Sequence, residues 1–213
     1  MNIEQEFVLD VYENIADHFS DTRFSRWDFI TQFLKKQSPS DKGIEIGCGN
    51  GRNLCIRDDL NIIGVDTCQS FIDICIKKKL IVFRQNCCEL SFPNASFDYA
   101  YAIAVFHHLA SELRRYKAMK EMIRILKPGG KGIISVWSLE QTERDNNMKM
   151  RRFVPGDNYV PWVRKRDKKI FKRYYYIFDE DMFQTYINQF SEHIVIHRII
   201  NKRGNWIVEF TKK

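Results

Sequence analysis

The 213-residue chain predicts an α/β fold, a doubly wound and mainly parallel sheet with helices on both faces. Three observations carry this. Short apolar runs alternate with amphipathic stretches from about residue 42 to residue 137. The run Gly43-Ile44-Glu45-Ile46 leads straight into alternating glycines, Gly47-Cys48-Gly49-Asn50-Gly51. Asp66 then closes a second apolar run, Asn61-Ile62-Ile63-Gly64-Val65, fifteen residues after Gly51. Strand, glycine turn, helix and a strand ending in an acid make a nucleoside-binding βαβ unit.

Residues 3–36 read as two helices. Ile3, Phe7, Val8, Val11, Ile15 and Phe19 face one way in the first, and Phe29, Ile30, Phe33 and Leu34 do so in the second. A polar-aromatic hinge, His18 to Arg23, separates them, and Ser38-Pro39-Ser40-Asp41 breaks the second. Strands are expected near 42–46, 61–65, 80–84, 97–102 and 131–137, with helices near 51–58, 69–78 and 111–126. Lys127-Pro128-Gly129-Gly130 closes the last of these helices. Residues 138–178 interrupt the alternation as a charged, aromatic insertion, after which Asp179 caps a helix to about Gln189. Two strands near 193–200 and 206–211, joined through Asn201-Lys202-Arg203-Gly204, complete a seven-stranded sheet whose last strand is antiparallel. The chain is expected to be one domain, 1–213, with a helical cap at 1–40 and the insertion at 138–178. Leu80-Ile81-Val82-Phe83 is continuously apolar although the third strand of such a sheet lies at an edge, and an open apolar edge invites another chain. Burial under flanking helices is the plainer reading.

The glycine turn selects among nucleotides. A dinucleotide site reads G-x-G-x-x-G and aims amides at a pyrophosphate. Here the spacing is G-x-G-x-G, Arg52 holds the sixth position, and Glu45 stands two residues ahead of the first glycine. A carboxylate there repels phosphate and suits a ligand bearing an ammonium and a sulfonium, which is S-adenosylmethionine. The architecture is then that of a class I S-adenosylmethionine-dependent methyltransferase, Rossmann-like, with two extra N-terminal helices. Cofactor contacts are expected from Glu45, Gly47, Cys48, Gly49, Gly51 and Asp66, the last on the ribose hydroxyls. Counting five back from Pro93 places Cys88 where this fold commonly presents an acid to adenine. A thiol accepts hydrogen bonds poorly, so the amides of Cys88 and Glu89 are expected to take over. Ala104 and His107, after the fourth strand, are expected to face the methyl group; a packing histidine is the alternative reading of His107.

Composition narrows the class of protein. The 44% hydrophobic and 14% aromatic content is that of a folded chain, and no apolar run nears a membrane span of roughly 20 residues. The acidic N-terminus lacks a signal-peptide pattern, so a soluble intracellular protein is expected, cytoplasmic and also able to be nuclear. Six cysteines without a C-x-x-C pair, and histidines without zinc-ligand spacing, argue against a disulfide framework and a metal site. Between Lys149 and Arg173 ten basic residues face two aspartates, a surplus larger than the net +7 of the entire chain. Tyr159, Trp162, Phe171, Tyr174, Tyr175 and Tyr176 interleave those charges. Cations steer a phosphate backbone and aromatic faces stack on unpaired bases, so single-stranded RNA is the expected partner. A solvated basic loop is the alternative.

Several segments resemble one family. Val11-Tyr12-Glu13-Asn14-Ile15-Ala16-Asp17-His18-Phe19-Ser20-Asp21-Thr22-Arg23 with Trp27 is similar to the N-terminal segment of the eukaryotic tRNA wobble-uridine carboxymethyl methyltransferases. The likeness continues through Gly47 to Gly51, Ile103 to Leu109, Leu126 to Gly130, Val136-Trp137-Ser138-Leu139-Glu140-Gln141, Val160-Pro161-Trp162, Arg173 to Phe178 and Asn205-Trp206. The glycine and Pro-Gly-Gly motifs are common to methyltransferases; the N-terminal segment, the Trp-x-x-Glu-Gln stretch and the Arg-Tyr-Tyr run are far more specific. The chain departs from the family at Asp28, Cys88 and Tyr176, where proline, aspartate and often histidine are usual.

The resemblance implies methyl transfer from S-adenosylmethionine to the carboxylate of 5-carboxymethyluridine at the wobble position, forming the methyl ester in the anticodon loop of tRNA. It implies Tyr12, Arg23 and His107 at the junction of donor and acceptor. Trp27, Trp162, Arg164, Lys165, Arg173, Tyr174, Asn205 and Trp206 would hold the nucleotide. It also implies a small zinc-binding activator subunit pairing with the strand at Leu80–Phe83. Two other readings stand beside it. One is a small-molecule methyltransferase of the quinone or fatty-acid type, which has little use for the basic insertion. The other is a catalytically silent methyltransferase-like scaffold.

Overall fold

The computed structural model describes residues 2–22, 27–141 and 152–213. A short π-helical run, Gln5–Leu9, continues into α1 (Asp10–Ser20), and α2 (Asp28–Lys35) follows. The alternating part is β1 (Lys42–Ile46), β2 (Asn61–Asp66), α3 (Gln69–Lys77), β3 (Val82–Arg84), β4 (Phe97–Ile103), α4 (Glu112–Ile125) and β5 (Leu126–Trp137). A 3-10 turn, Phe106–His108, links β4 to α4. The chain closes with β6 (Gly156–Val163), β7 (Ile170–Ile177), α5 (Glu180–Asn188), β8 (Ile194–Asn201) and β9 (Asn205–Lys212).

Seven strands form one sheet in the order β3-β2-β1-β4-β5-β9-β8, with β9 antiparallel to both its neighbours. The α/β prediction holds, with the antiparallel last strand included. One face is covered by α4 and α5 through Met119, Met122, Phe183 and Ile187, with Phe190 just after α5. The other packs Phe29, Ile30, Phe33 and Leu34 of α2 against Tyr99, Tyr101 and Ile133. The strand order reverses between β1 and β4, so a crevice opens beyond their carboxyl ends, where ligands bind in such sheets. Asp179 caps α5 as expected, accepting from the Met182 amide at 2.8 Å.

Two expectations are corrected. Residues 51–60 form successive turns instead of a helix. Their bonds are short-range, Leu54 N to Gly51 O at 3.1 Å and Ile56 N to Asn53 O at 3.2 Å, and Asn53 turns inward to Glu45. The pull of that buried carboxylate competes with helix formation. The described part of the insertion is a ribbon where the alternative reading had a loop: β6 and β7 pair antiparallel in continuous register from Gly156↔Ile177 to Val163↔Ile170. No described helix is long and apolar enough to cross a membrane.

The N-terminal segment is strapped across the crevice by two glutamates. Glu4 accepts from the Ala110 amide at 2.9 Å, ahead of α4, and from Arg114 Nε at 2.8 Å in its first turn. Glu13 accepts from the Gln69 amide at 2.6 Å, the Ser70 amide at 2.9 Å and the Ser70 hydroxyl at 2.6 Å, at the start of α3. Burial pushes the Glu13 carboxyl up, but the Ser70 and Gln69 bonds outweigh it and hold its pKa below the usual range. Glu13 thus caps a helix that is remote in sequence. Glu13→Ala is expected to cost about 1–2 kcal/mol, at the upper end for a lost cap because three donors lose their acceptor. Urea unfolding measures this, and an unchanged midpoint would show the contact to be idle.

Candidate active site

The first half of the site lies at the ends of β1 and β2. The Gly47 and Cys48 amides donate to Val65 O at 2.7 and 2.9 Å, folding the loop onto β2. Gly47 has φ +69°, and a Cβ there would lie 2.4 Å from Val105. Gly49 has φ +52°, and a Cβ there would meet nothing within 4 Å. The loop is therefore held from beneath and open above, which suits a ligand lying on its backbone.

Asp66 closes β2 with both oxygens engaged, Oδ2 accepting from the Gly49 amide at 2.8 Å and Oδ1 from the Cys68 amide at 2.9 Å. Burial raises its pKa, against the pull of those amides. Each oxygen keeps a second lone pair for a hydroxyl donor. Glu45 is 1% exposed; its Oε1 accepts from Asn53 Nδ2 at 2.6 Å, while Oε2 has no hydrogen-bond partner among the described residues. Burial pushes its carboxyl up to about 8. A buried carboxylate oxygen without a donor is costly, and an ammonium group relieves it. The residues present therefore fit S-adenosylmethionine. Across the crevice, Ala104 sits in the left-handed region at φ 61°, its amide held by Ser135 O at 3.0 Å and Ser135 Oγ at 3.1 Å. Strain of this kind persists where the surroundings impose it.

The adenine-side expectation is corrected. The Cys88 thiol turns away from the crevice and donates to Arg114 O on α4 at 3.3 Å. The Cys88 amide is taken by Asn86 Oδ1 at 2.9 Å and the Glu89 amide by Asn86 O at 3.0 Å. β3 ends at Arg84, so Asn86, which the sequence reading missed, is the polar side chain that organises this turn. Counting from the strand end, not from Pro93, points to it. All six cysteines are free thiols.

The second half is built by β7 and α1. Alternation along β7 puts Arg173 and Tyr175 on its inner face and Tyr174 on the outer. Arg173 is 1% exposed, with its guanidinium carbon 4.9 Å from the Trp162 ring centre and 5.3 Å from that of Tyr175. Its Nη1 donates to Tyr175 Oη at 2.7 Å, yet Nε and Nη2 have no hydrogen-bond partner among the described residues.

A directional chain of bonds holds it. The Tyr175 and Tyr12 hydroxyls lie 3.4 Å apart, and Tyr12 Oη is 3.1 Å from His108 Nε2. His108 Nδ1 lies 2.8 Å from the Tyr174 carbonyl, which can only accept, so Nδ1 carries the proton and Nε2 accepts from Tyr12. Burial pushes the His108 pKa down to about 3, keeping the ring neutral. Each donor polarises the next, and the guanidinium orientation is fixed. Tyr12 also packs against Phe71 at 5.7 Å, just after Asp66, while His108 follows Ala104. The two halves therefore share one crevice.

The remaining sequence candidates fare unequally. His107 is fully buried, accepts the Trp137 amide through Nδ1 at 2.9 Å, and is kept neutral by burial. It retains a single Nε2 donor; His108 is the histidine that meets Tyr12, and the sequence reading passed over it. Trp162 belongs to the site, donating Nε1 to His18 Nδ1 at 3.1 Å. Asn205 lies opposite Trp137 at the crevice end of β9 and donates to Arg203 O at 3.0 Å. Trp27 stacks on Phe29 at 5.8 Å, beside α2. Lys165 is exposed in the β6–β7 turn, and Arg23 lies outside the described residues.

Three candidates are corrected. Arg164 spends its donors on Asp167 (3.1 Å from Nε) and on Asn14 O (2.9 Å from Nη1), so it pins the turn to α1. Tyr174 is buried on the outer face and donates to Asp157 Oδ1 at 2.6 Å. Trp206 is a core residue, stacked on Phe183 at 6.0 Å. Tyr175, stacked on Trp137 at 4.1 Å, takes the place beside Arg173 that the sequence reading gave to Tyr174.

Comparison with known proteins agrees with this arrangement. The methyltransferase-domain family matches residues 44–134. The tRNA (carboxymethyluridine(34)-5-O)-methyltransferase of Schizosaccharomyces pombe is 32% identical over 223 residues, covering 96% of this chain and 96% of that protein. The Xenopus tropicalis protein of that name, alkbh8, is 30% identical over 260 residues; they take in 99% of this chain but 41% of that longer protein, so the chain spans about two-fifths of it. Among solved structures, a Haloferax volcanii methyltransferase in complex with the Trm112 methyltransferase activator superimposes with a TM-score of 0.64 at 14% identity, covering 97% of this chain and 98% of that one.

Proposed function

This chain belongs to the tRNA (carboxymethyluridine(34)-5-O)-methyltransferase family, and we propose that it esterifies the carboxylate of 5-carboxymethyluridine at the tRNA wobble position, with S-adenosylmethionine as methyl donor. The observation that carries the reading is Arg173: a buried guanidinium with two unused donors, Nε and Nη2, between aromatic faces. Those two donors form the fork that binds a carboxylate bidentately. The names of the relatives do not favour the small-molecule and silent-scaffold readings.

When bound, S-adenosylmethionine supplies an electrophilic methyl group. The chain's own residues do the rest. Glu45 and Asp66 orient the donor from below, and the Tyr175–Tyr12–His108 chain keeps Arg173 aimed at the acceptor. A carboxylate with a pKa near ~4 is ionised at neutral pH, so no group need remove a proton. Positioning and exclusion of water remain, and proximity can supply roughly 7–11 kcal/mol. The ester product carries no charge and leaves Arg173 without its partner, which favours release.

We further propose a small zinc-binding activator subunit on the β3 edge. Phe83 of β3 is 46% exposed and Ile81, just ahead of the strand, 59%; Ile76 of α3 is exposed too, and the outer edge of β3 is unpaired among the described residues. The test for both is nucleoside mass spectrometry of tRNA incubated with enzyme and cofactor, with and without the activator. The methyl ester should form on carboxymethyluridine, and tRNA carrying the carbamoylmethyl analogue, which cannot be esterified and has no negative charge to pair with Arg173, should compete poorly for the site. Equally strong competition by the carbamoylmethyl and carboxymethyl tRNAs would overturn the role of Arg173.

A further inference from the structure

Resting on that reading, we infer that the turn joining β6 to β7 is a preformed phosphate grip for the RNA strand that carries the reacting nucleotide. The two faces of the ribbon differ. Its inner face presents Trp162, Phe171, Arg173 and Tyr175 to the crevice, whereas Tyr159, Val163, Ile170 and Lys172 on the outer face are exposed. At the tip, Lys165, Arg166, Lys168 and Lys169 are all exposed.

The only acid among them is spent internally. Asp167 accepts from Arg164 Nη2 at 2.5 Å and from the Lys169 amide at 3.1 Å, and the Arg164 guanidinium holds its carboxyl below the usual range. Arg166 also feels the Asp167 charge, but none of the four cations has an ion pair among the described residues. The turn is also rigidly set: Arg164 N donates to Lys169 O at 2.9 Å, Lys168 N to Arg164 O at 2.9 Å, and Lys168 takes the left-handed conformation at φ 58°. Arg164 Nη1 ties the whole to Asn14 O of α1, the helix that carries Tyr12. A turn ordered in advance loses little entropy on binding.

The ribbon itself selects the occupant. Arg173 pairs with Val160, and the last pair before the turn, Val163↔Ile170, lies three residues further along, roughly 10 Å at the rise of a strand. A ligand whose reacting carboxylate sits at Arg173 can meet the tip only if negative charges continue along its chain. A polynucleotide does this; an acidic peptide or a lipid surface has no reacting nucleotide to offer.

The test compares the full chain with a variant in which Lys165, Arg166, Lys168 and Lys169 are all glutamine. Binding of tRNA bearing 5-carboxymethyluridine is measured across 50–300 mM KCl, with thermal melting confirming that the variant is folded. The slope of log affinity against log salt should fall by about 3, since each phosphate contact contributes roughly 0.7–0.9. Phosphate footprinting should lose protection a few nucleotides from the wobble position. An unchanged slope, or a slope lost with the footprint intact, would overturn the grip. If the unaltered enzyme esterifies no tRNA, the underlying function fails; if it does so while the variant keeps slope and footprint, only the grip fails.

Discussion

Arg173→Met should remove methyl transfer while leaving the protein as stable as before, or more so. The two effects have opposite signs for one reason. In the free protein the guanidinium is buried, with Nε and Nη2 unpaired among the described residues, and each unmet donor costs about 1–3 kcal/mol. Methionine fills the space between Trp162 and Tyr175 without that cost. Once the substrate carboxylate is present, the same donors gain their partner, and removing one side of such a pair costs about 2–5 kcal/mol. That corresponds to a loss in kcat/KM of roughly 30-fold to several thousand-fold. Arg173→Lys keeps the charge but not the fork and should fall between. Single-turnover kinetics and differential scanning calorimetry test both signs. A methionine variant within threefold of normal activity would refute the assignment, and one that unfolds would mean that Arg173 holds the ribbon together.

Glu45→Gln is expected to trade cofactor affinity for stability in the same way, with pH as the control. The folded pKa of Glu45, about 8, lies above its ordinary 4.5, because burial disfavours the charge. The folded state therefore keeps a proton that the unfolded chain releases. This contribution to stability is complete below about pH 4.5 and lost as pH rises toward 8. Glutamine cannot lose a proton, so the variant should gain on the parent over that window, by a few kcal/mol at the upper end. An ammonium near Oε2 reverses the balance by favouring the carboxylate. S-adenosylmethionine affinity should then rise with pH in the parent and be roughly 10- to 150-fold weaker in the variant, the value of a charge-assisted hydrogen bond. Calorimetric titration in buffers of different ionisation enthalpy reads the released proton. No proton release, with parallel stability curves for the two proteins, would sink this account.

The legible parts of the site were those set by short sequence separation. Gly47 to Gly51 and Asp66 were readable because a turn and the acid at the next strand tip follow from local periodicity. Residues 51–58 misled because their apolar spacing permits a helix, while a buried acid eight residues from Asn53 recruits that side chain instead. Cys88 misled because the count ran back from Pro93, and the length of β3 is set by its pairing with β2, from Gly64↔Val82 to Asp66↔Arg84. Tyr174 was assigned by resemblance, with no strand placed in the insertion to say which side chains share a face. As a strand, Arg173 shares its face with Tyr175.

The sequence by itself determined the α/β order, the cofactor loop and the surplus of positive charge in the insertion, all of which depend on residues close together in the chain. Only the tertiary structure decided which charges are free to act. Arg164 and Arg173 look alike in sequence, nine residues apart in one basic stretch. Folding brings Asp167 and the Asn14 carbonyl to the first and leaves two donors of the second without a partner among the described residues. A buried charge acts according to its partners: Asp167 is only three residues from Arg164, but the Asn14 carbonyl on α1 and the Trp162 face across the ribbon from Arg173 lie at separations that local sequence does not encode.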